Sequence, residues 1–312
     1  MSSKKVSVTS FIVYKFYSLL GHACKGLFVL FSSGKLDPSK EVSDLKLVFF
    51  CGKKGAGMLK AVILSVYRRW EKVPVISIVT DGTDPEIIKK YMKFWPFPYQ
   101  VKTYEACADF HLARGRKSLV EWARINIFAR KLISILAEAE VGPTLYCDTD
   151  LLWFAEPRLP EITGGLTLRM SQDNVLSYPT QLLDALGRQD MMQKPAMNAG
   201  LLFISGSPYD HYPQFEQLID QVKNYCVERS EERGFSEQMV FALLTDRLGD
   251  TWSPEEVIIN TRDLYWPLIP SYLFSGHQFA RHHVLTKHSW FWRDALFIIL
   301  SKKKNSRQSG HS

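Results

Sequence analysis

Strand-like runs alternate with helical segments in the first third of the chain, and this order limits the possible folds more than any other feature. The runs are residues 45–51, 73–80 and 99–104, and the segments between them, 58–70 and 85–94, have helical periodicity. Such an order predicts parallel strands joined by helical crossovers, with ligands bound at the carboxyl ends of the strands. We therefore predict an α/β fold whose Rossmann-type sheet is flanked by helices.

The rest of the chain supplies further elements for the same core. Ser118 and Glu121 form a capping-box pattern, which predicts one long helix that ends near Glu140. Further strands are predicted at residues 144–147, 151–154, 164–170 and 200–205, and further helices at 212–226 and 236–248. With 312 residues, 46% of them hydrophobic, the chain can bury a substantial core.

The N-terminal stretch 11–31 is apolar but interrupted by lysines. No run in it reaches the roughly 20 apolar residues that a helix needs to cross a bilayer. At about 100° per residue, Lys15, His22 and Lys25 share one narrow arc. The segment is predicted to be an amphipathic helix that either lies in a membrane interface or docks on the protein's own core.

The net charge and the cysteine content limit the partners and the cellular compartment that we expect for the protein. A formal charge of +7 and a pI near 9.0 suit nucleic acid, anionic lipid or a phosphate-bearing substrate, without choosing among them. The five cysteines have no short paired spacing, which predicts reduced packing residues rather than disulfides or a zinc site. We therefore expect a cytoplasmic protein.

Two carboxylates, Asp148 and Asp150, interrupt the apolar run 144–154. Because they are two positions apart at a strand end, their side chains share one face, and Thr149 points away. Mg²⁺ and Mn²⁺ are bound through one or two carboxylates, and phosphate oxygens complete the shell. The pair therefore indicates a metal site at a phosphate-bearing substrate, unless the aspartates cap a turn and face water.

The run Leu145–Phe154 resembles the Asp-any-Asp motif of GT-A fold glycosyltransferases, in which an apolar strand delivers two aspartates to Mn²⁺ and the nucleotide-sugar diphosphate. Three later segments resemble glycosyltransferase family 8, which contains glycogenin and bacterial lipopolysaccharide galactosyltransferases. The first is Asn198-Ala199-Gly200, similar to a family segment that lies against the donor sugar. Glycine permits close approach of the backbone, and asparagine offers a donor and an acceptor to sugar hydroxyls.

The second segment is Ser236-Glu237-Gln238, which is similar to the family's Asp-Gln-Asp segment. Glu237 replaces the first acid, and Met239 stands where the last Asp would be. The resemblance implies that the Gln238 amide lies beside the reacting anomeric carbon. The alternative is an exposed helix start with Ser236 as its N-cap.

The third segment, Arg281–Trp290, resembles a closing motif in which a histidine completes the metal shell and a lysine meets the diphosphate. The resemblance implies that His282 or His283 is the metal ligand and that Lys287 contacts phosphate. A neutral imidazole is a suitable ligand for Mn²⁺, and an ammonium is a suitable point charge for a leaving diphosphate.

A basic residue precedes the metal strand in the family, and Lys131 stands at that position. Arg124 and Arg130 are alternatives on the same predicted helix. Asp81, at the end of the second strand, is expected to contact the nucleotide. The glycine-rich residues 52–57 lack the Gly-Lys-Ser/Thr ending of a P-loop, so we interpret them as a turn into the first helix.

The resemblance implies a GT-A-like mixed sheet in a single catalytic domain, residues 45–292, after an N-terminal amphipathic segment and linker, 1–44. Residues 293–312 are predicted to form a basic tail. The implied activity is metal-dependent transfer of a hexose from a nucleoside-diphosphate sugar, UDP above all, to a hydroxyl acceptor with retention of configuration. We expect Mn²⁺ or Mg²⁺ as cofactor, no nucleic-acid partner, and peripheral membrane contact through the N-terminal helix and the tail.

Two other functions fit parts of the pattern. A nucleotidyltransferase would also bind its nucleotide through two aspartates. An inactive, membrane-peripheral protein that binds a nucleotide sugar is the alternative that Met239 suggests. A phosphatase with an aspartyl nucleophile fits less well, because Leu152 stands where such a motif carries Thr or Val.

Overall fold

The computed structural model describes residues 8–162, 164–229, 234–259, 278–283 and 288–301. The strands within these ranges are β1 (Val42–Cys51), β2 (Val73–Thr80), β3 (Tyr99–Thr103), β4 (Thr144–Cys147), β5 (Leu151–Trp153), β6 (Thr167–Gln172), β7 (Met197–Ser205), β8 (Asp250–Trp252), β9 (Val257–Ile259) and β10 (Ala280–His282). The helices are α1 (Val8–Phe31), α2 (Ala56–Arg69), α3 (Pro85–Met92), α4 (Tyr104–Leu112), α5 (Lys117–Ile125), α6 (Ile127–Ala139), α7 (Thr180–Ala185), α8 (Pro208–His211), α9 (Phe215–Glu228), α10 (Ser236–Leu248) and α11 (His288–Leu300), with a 3₁₀ turn at Gln189–Gln193.

Seven of these strands form the main sheet, in the order β3-β2-β1-β4-β7-β6-β8. The pairs β3–β2, β2–β1 and β1–β4 are parallel, whereas β7 runs antiparallel to both β4 and β6. The parallel half therefore brings the carboxyl ends of β1, β2 and β4 to one edge. The mixed α/β fold class predicted from the sequence is confirmed.

The sheet separates two hydrophobic cores because successive strand residues face opposite sides. On β1, Leu47 and Phe49 join a core with α2 and α11, whereas Val48 joins a core with α5, α6, α9 and α10. All four residues of β4 are buried between these layers. Cores on both faces hold the end of β4 in a fixed position.

A second, three-stranded sheet has the order β5-β10-β9. β10 runs antiparallel to β5 and parallel to β9, and His282 lies opposite Leu151. Trp153 of β5 is fully buried, with its ring edge-on to Trp70 and stacked on Phe279. This packing fixes where β10 lies relative to the end of β4.

The single helix predicted from Ser118 to Glu140 is wrong, because the structure has α5 and α6 in its place. Asn126 separates them in an extended conformation (φ −138°), and its side chain accepts a 2.9 Å hydrogen bond from the Phe128 N–H. Ser118 lies inside α5, which starts without a side-chain cap, so it is not an N-cap. Asparagine favours helix N-caps over helix interiors, and Asn126 caps the second helix here.

Both ends of the chain differ from the expected linker and tail. β1 starts at Val42, inside the segment predicted to be a linker. α11 extends to Leu300, so residues 293–300 of the expected tail are helical. Ala295 and Ile298 of α11 are buried in the core. Residues 302–312 lie outside the described ranges. The five cysteines are all buried and free, as predicted.

Helix α1 docks on α11 along one stripe of the part of the helix whose side chains are described, residues 19–31. Cys24 and Phe28 are buried, and the Phe28 ring meets Trp292 edge-on with 5.3 Å between centroids. Among the helices that the structure describes, none combines the length and apolar character needed to cross a bilayer.

Candidate active site

The two predicted metal-binding aspartates lie in a turn between the two sheets. The Asp148 N–H donates to the Gly200 carbonyl of β7 at 2.8 Å, which continues the pairing of β4. The Leu151 N–H then donates back to the Asp148 carbonyl at 3.2 Å, and β5 begins. The chain therefore leaves the core for three residues and presents the carboxylates of Asp148 and Asp150 at the carboxyl edge of the parallel strands.

β10 brings a histidine to these carboxylates. The His283 N–H donates to the Asp150 carbonyl at 2.9 Å, which fixes the register next to the turn. His282 Nε2 then lies 2.9 Å from Asp150 Oδ1 and 3.7 Å from Asp148 Oδ2. One ligand atom from each of the three side chains fits within 4.8 Å of the others. Two carboxylate oxygens and one imidazole nitrogen at this spacing form a donor set that could hold a divalent metal ion.

Gly200 leaves the space that the His282 ring occupies. A Cβ at position 200 would lie 2.6 Å from His282 Nδ1, closer than such atoms approach one another. The Gly200 N–H is also held by Asn198, whose Oδ1 accepts it at 2.7 Å. The sequence predicts a close approach of a donor sugar here, and the structure shows that an imidazole already approaches the glycine.

Lys131 of α6 also contacts the aspartate turn, through the carboxylate of Asp148. Its Nζ lies 3.2 Å from Asp148 Oδ1 and 3.7 Å from Glu237 Oε1, and 4.8 Å from the Tyr146 ring centroid. The Tyr146 hydroxyl donates to Asp148 Oδ1 at 2.5 Å. Lys131 and Tyr146 thus orient one oxygen of Asp148 and leave its other oxygen facing His282.

Burial and charge oppose each other throughout this cluster. Burial disfavours the charged form of Lys131, but Asp148 and Glu237 outweigh it and raise the pKa of the lysine. Burial likewise works against ionised Asp148, yet Lys131 and His282 keep the pKa of the carboxyl below its ordinary value. For His282, the loss of solvent is outweighed by Asp150, so the pKa of the imidazole is raised.

Glu237 differs from the aspartates because burial dominates. Its side chain is almost fully buried, and this burial raises the pKa of Glu237 to about 7 despite the attraction of Lys131. Among the residues described, none hydrogen-bonds to its Oε2 atom. Glu237 therefore changes protonation near neutral pH beside a lysine that holds Asp148.

Gln238 carries an amide that the protein itself uses only in part. Its Oε1 accepts from the Ala199 N–H at 3.2 Å, whereas its buried Nε2 finds no hydrogen-bond partner in the described part of the chain. The alternative reading of Ser236 as an exposed N-cap is wrong. Phe235 is the capping residue, in a left-handed conformation (φ 59°), and Ser236 is buried.

Asp173, which follows the end of β6, was not among the site residues predicted from the sequence. The Asn198 Nδ2 donates to Asp173 Oδ2 at 2.8 Å, and Val175 N–H holds the other oxygen at 3.2 Å. Its signal in the sequence is the same as that of Asp148, an acid directly after a buried strand. Tyr146 was missed as well, because an aromatic residue in a core strand gives no sign that its hydroxyl is used.

Two predicted site residues are not brought to the cluster. His283 is buried with its Nε2 3.5 Å from Asp294 of α11, so the geometry favours His282 as the ligand. Arg124 is exposed on α5 and forms no described hydrogen bond or ion pair with the cluster. Lys287 lies outside the described residues.

Asp81 lies at the same edge of the sheet, at the end of β2, as a separate group. It accepts from the Thr83 hydroxyl at 2.7 Å, and Arg130 donates to its carbonyl at 3.0 Å. A Cβ at Gly52 would lie 2.7 Å from Asp81 Cγ, so the glycine makes room for the carboxylate. The residues expected at the nucleotide and at the metal therefore lie at the carboxyl edge of one sheet, after β2 and β4, with β1 between these two strands.

This sheet, with an Asp-any-Asp turn after β4, has the fold of the GT-A glycosyltransferases. The galactosyltransferase LgtC, solved with donor and acceptor sugar analogues, matches with a TM-score of 0.50 and 14% identity over 81% of this chain and 95% of LgtC. Mouse xyloside xylosyltransferase 1 in its apo form matches with a TM-score of 0.50 and 12% identity over 79% and 99% of the two chains. No protein-family model matches the chain, and a search of curated proteins finds no match either. The predicted GT-A-like fold is confirmed.

Proposed function

We propose that this protein is a metal-dependent glycosyltransferase that moves a hexose from a nucleoside-diphosphate sugar to a hydroxyl acceptor. The observation that carries the proposal is the convergence of Asp148, Asp150 and His282, which come from two sheets and meet beside Lys131. The similarity of the fold to the two transferases supports the same reaction class.

The ion in this proposal is Mn²⁺ or Mg²⁺, held by Asp148, Asp150 and His282. When bound, it would neutralise the charge that develops on the departing diphosphate. Lys131 and Tyr146 position Asp148 for this task and share its charge. Lys287 is proposed as a second cation for the diphosphate, on the basis of its place in the closing motif.

The donor sugar is proposed to lie against the start of β7 and α10. Gln238 has an amide N–H without a described partner there, and Asn198 is held rigidly by Asp173. A buried donor without a partner is costly, and a sugar hydroxyl or ring oxygen would satisfy it. We propose that Asp81, near Gly52, contacts the nucleotide.

UDP as the nucleotide and retention of configuration are part of this proposal and rest on the motif resemblance. The acceptor is proposed to be a hydroxyl group of a glycan, lipid or protein, and no nucleic-acid partner is expected. The expected cytoplasmic location and membrane contact remain predictions.

A screen of nucleotide sugars with and without Mn²⁺ tests the function. We expect metal-dependent release of a nucleoside diphosphate, with sugar transfer once a suitable acceptor is present. Asp148→Asn and Asp150→Asn should abolish both metal-dependent donor binding and release. Asp210→Asn is the matched control, because Asp210 is exposed on α8.

Other outcomes identify the alternatives. Incorporation of the nucleotide into an acceptor would show a nucleotidyltransferase. Tight donor binding with neither release nor transfer, across the whole panel, would show a binding protein. Unchanged donor affinity in both aspartate variants would refute the metal assignment.

A further inference from the structure

A basic groove lies beside α1, and none of its described lining residues belongs to the aspartate turn. It has a volume of about 410 Å³ and runs between α1, the first turns of α2, the end of α3 and α11. Its walls include Lys25, Lys60, Lys90 and Lys93 together with the aromatic rings of Phe94 and Trp292. No acidic side chain lies among its described lining residues.

The lysines of this groove lie beside aromatic rings, and no acidic side chain is among the described residues that line it. Lys25 Nζ lies 5.4 Å from the Trp292 ring centroid, and Lys60 Nζ lies 5.2 Å from that of Phe94. Neither these two nor Lys90 and Lys93 form an ion pair with any residue that the structure describes. Partial burial also lowers the pKa of Lys60, because the loss of solvent disfavours its charged form. An anionic group in the groove would offset this effect.

The outer face of α1 adds a second, independent property. Leu19 is 71% exposed, Val29 58%, Leu30 69% and Phe31 54%, although α1 docks on α11 through other residues. Val29 also lines the groove, so the exposed apolar face and the basic groove are continuous. Apolar surface bordered by lysines is the pattern of helices that lie in the interface of an anionic membrane.

A lipid bilayer is the partner that matches both properties. A free phosphate ester could neutralise the lysines, but it would leave the leucines of α1 in water. An anionic phospholipid presents its headgroup to cations and its acyl boundary to apolar side chains.

We propose that α1 and the basic groove form a membrane-docking surface, in which the groove binds an anionic phospholipid headgroup and Leu27, Leu30 and Phe31 enter the acyl boundary. This surface is independent of the proposed transferase activity.

The groove also approaches the candidate site along the chain, because it includes Gly57 near the start of α2. Two residues before it, a Cβ at Gly55 would lie 3.2 Å from the hydroxyl of Thr149, which stands between the two aspartates.

Flotation of the full chain with vesicles tests the groove. The vesicles are phosphatidylcholine alone, or phosphatidylcholine mixed with phosphatidylglycerol. We expect binding to the mixed vesicles, and at least about tenfold weaker binding by the triple variant Lys60→Gln/Lys90→Gln/Lys93→Gln. The control Lys72→Gln/Lys117→Gln/Lys223→Gln removes the same charge elsewhere and should change binding by less than about twofold.

A second variant tests the apolar face. Leu27 and Leu30 are exposed, so Leu27→Ser/Leu30→Ser should fold normally, which the thermal midpoint checks. We expect at least about tenfold weaker vesicle binding. If the groove bound only free phosphate esters, the wild-type chain would not float with the mixed vesicles, and glycerol 3-phosphate would bind the wild type but not the groove variant.

Three results would overturn the proposal: equal binding to both vesicle types, wild-type binding by the groove variant, or wild-type binding by the leucine variant. UDP affinity with Mn²⁺ is measured on the same samples. Because none of these side chains lies in the aspartate cluster, UDP affinity should not change, so failure here is separate from failure of the proposed transferase activity.

Discussion

His282 Nε2 lies 2.9 Å from Asp150 Oδ1 although 132 residues separate them in the chain. Pairing of β10 with β5 produces this contact, and Leu151, next to Asp150, lies opposite His282 in that pairing. A short strand pair therefore supplies the third ligand of the candidate metal site, whereas a local sequence motif supplies the two aspartates.

His282→Ala should lower the affinity for UDP strongly when Mn²⁺ is present and little when it is absent. The variant removes one neutral nitrogen from an ion that would also hold the diphosphate. Calorimetry at two metal concentrations measures the effect, with the exposed His211→Ala as control. An equal loss of UDP affinity with and without Mn²⁺ would contradict the assignment of His282 as a metal ligand.

Lys287→Ala should behave differently, because an ammonium that meets phosphate oxygens acts without the ion. We expect weaker UDP binding with and without Mn²⁺, and slower donor cleavage beyond the loss in binding. Binding and single-turnover cleavage are measured side by side. A purely salt-dependent, small effect would instead indicate a surface lysine.

Gly200→Ala should displace the His282 ring, because the new Cβ would lie 2.6 Å from its Nδ1. The expected result is a loss of about 10- to 100-fold in metal affinity. Mn²⁺ titration followed by electron paramagnetic resonance measures this loss. Gly142→Ala is a matched control, since a Cβ at Gly142 meets nothing within 4 Å. Unchanged Mn²⁺ affinity would show that the ring can move without consequence.

Asp294→Ala should destabilise the fold by about 3–5 kcal/mol, because it leaves a buried guanidinium without its main anion. Arg281 lies 3.1 Å from Asp294, and both side chains are at most 3% exposed. Urea unfolding measures the change, and the exposed Asp184→Ala should have little effect. A loss below about 1 kcal/mol would mean that Arg281 finds other compensation.

The stability of the fold should decline below pH 6.5 because of His111. Burial lowers the pKa of His111 from its ordinary 6.5 to about 3, and the ring is fixed between the Ile133 carbonyl and Arg116, each 3.0 Å away. Between pH 6.5 and 3, His111 is therefore protonated in the unfolded chain and neutral in the folded chain. This contribution is complete above pH 6.5 and is lost progressively as the pH falls through that window.

Unfolding free energies at pH 7 and pH 5 check this prediction. His111→Gln should reduce the slope by up to about 1.4 kcal/mol per pH unit, at some cost in stability at pH 7. His211→Gln, at an exposed position, should keep the wild-type slope. An unchanged slope in the His111 variant would assign the acid sensitivity to other groups.

The sequence predicts best where the signal is local. The first three strands and the aspartate turn are local patterns, and the structure contains all of them. The choice between His282 and His283 was open, because neighbouring residues on a strand face opposite sides and only the register of β10 decides between them. That register depends on pairing with β5, and β9 and β10 are three-residue strands, too short for a periodic pattern.

Contacts between distant parts of the chain account for the other differences. Asp173 gains its place from Asn198 on a neighbouring strand, which no spacing reveals. The helical part of the expected tail is stabilised by packing of α11 against α1 and α2, not by its charge pattern. Asn126 ends one helix and caps the next, although the periodicity runs through it.

Helix α11 carries Trp292 in the wall of the basic groove and, two positions later, Asp294, which holds Arg281 and His283 on either side of His282. A displacement of α11 would therefore alter both the wall of the basic groove and the residues next to His282. Thermodynamic linkage makes such coupling reciprocal: the factor by which a bound lipid changes metal affinity equals the factor by which bound metal changes lipid affinity. If both proposed sites bind their ligands, α11 would couple metal binding at the aspartate cluster to attachment at a membrane surface.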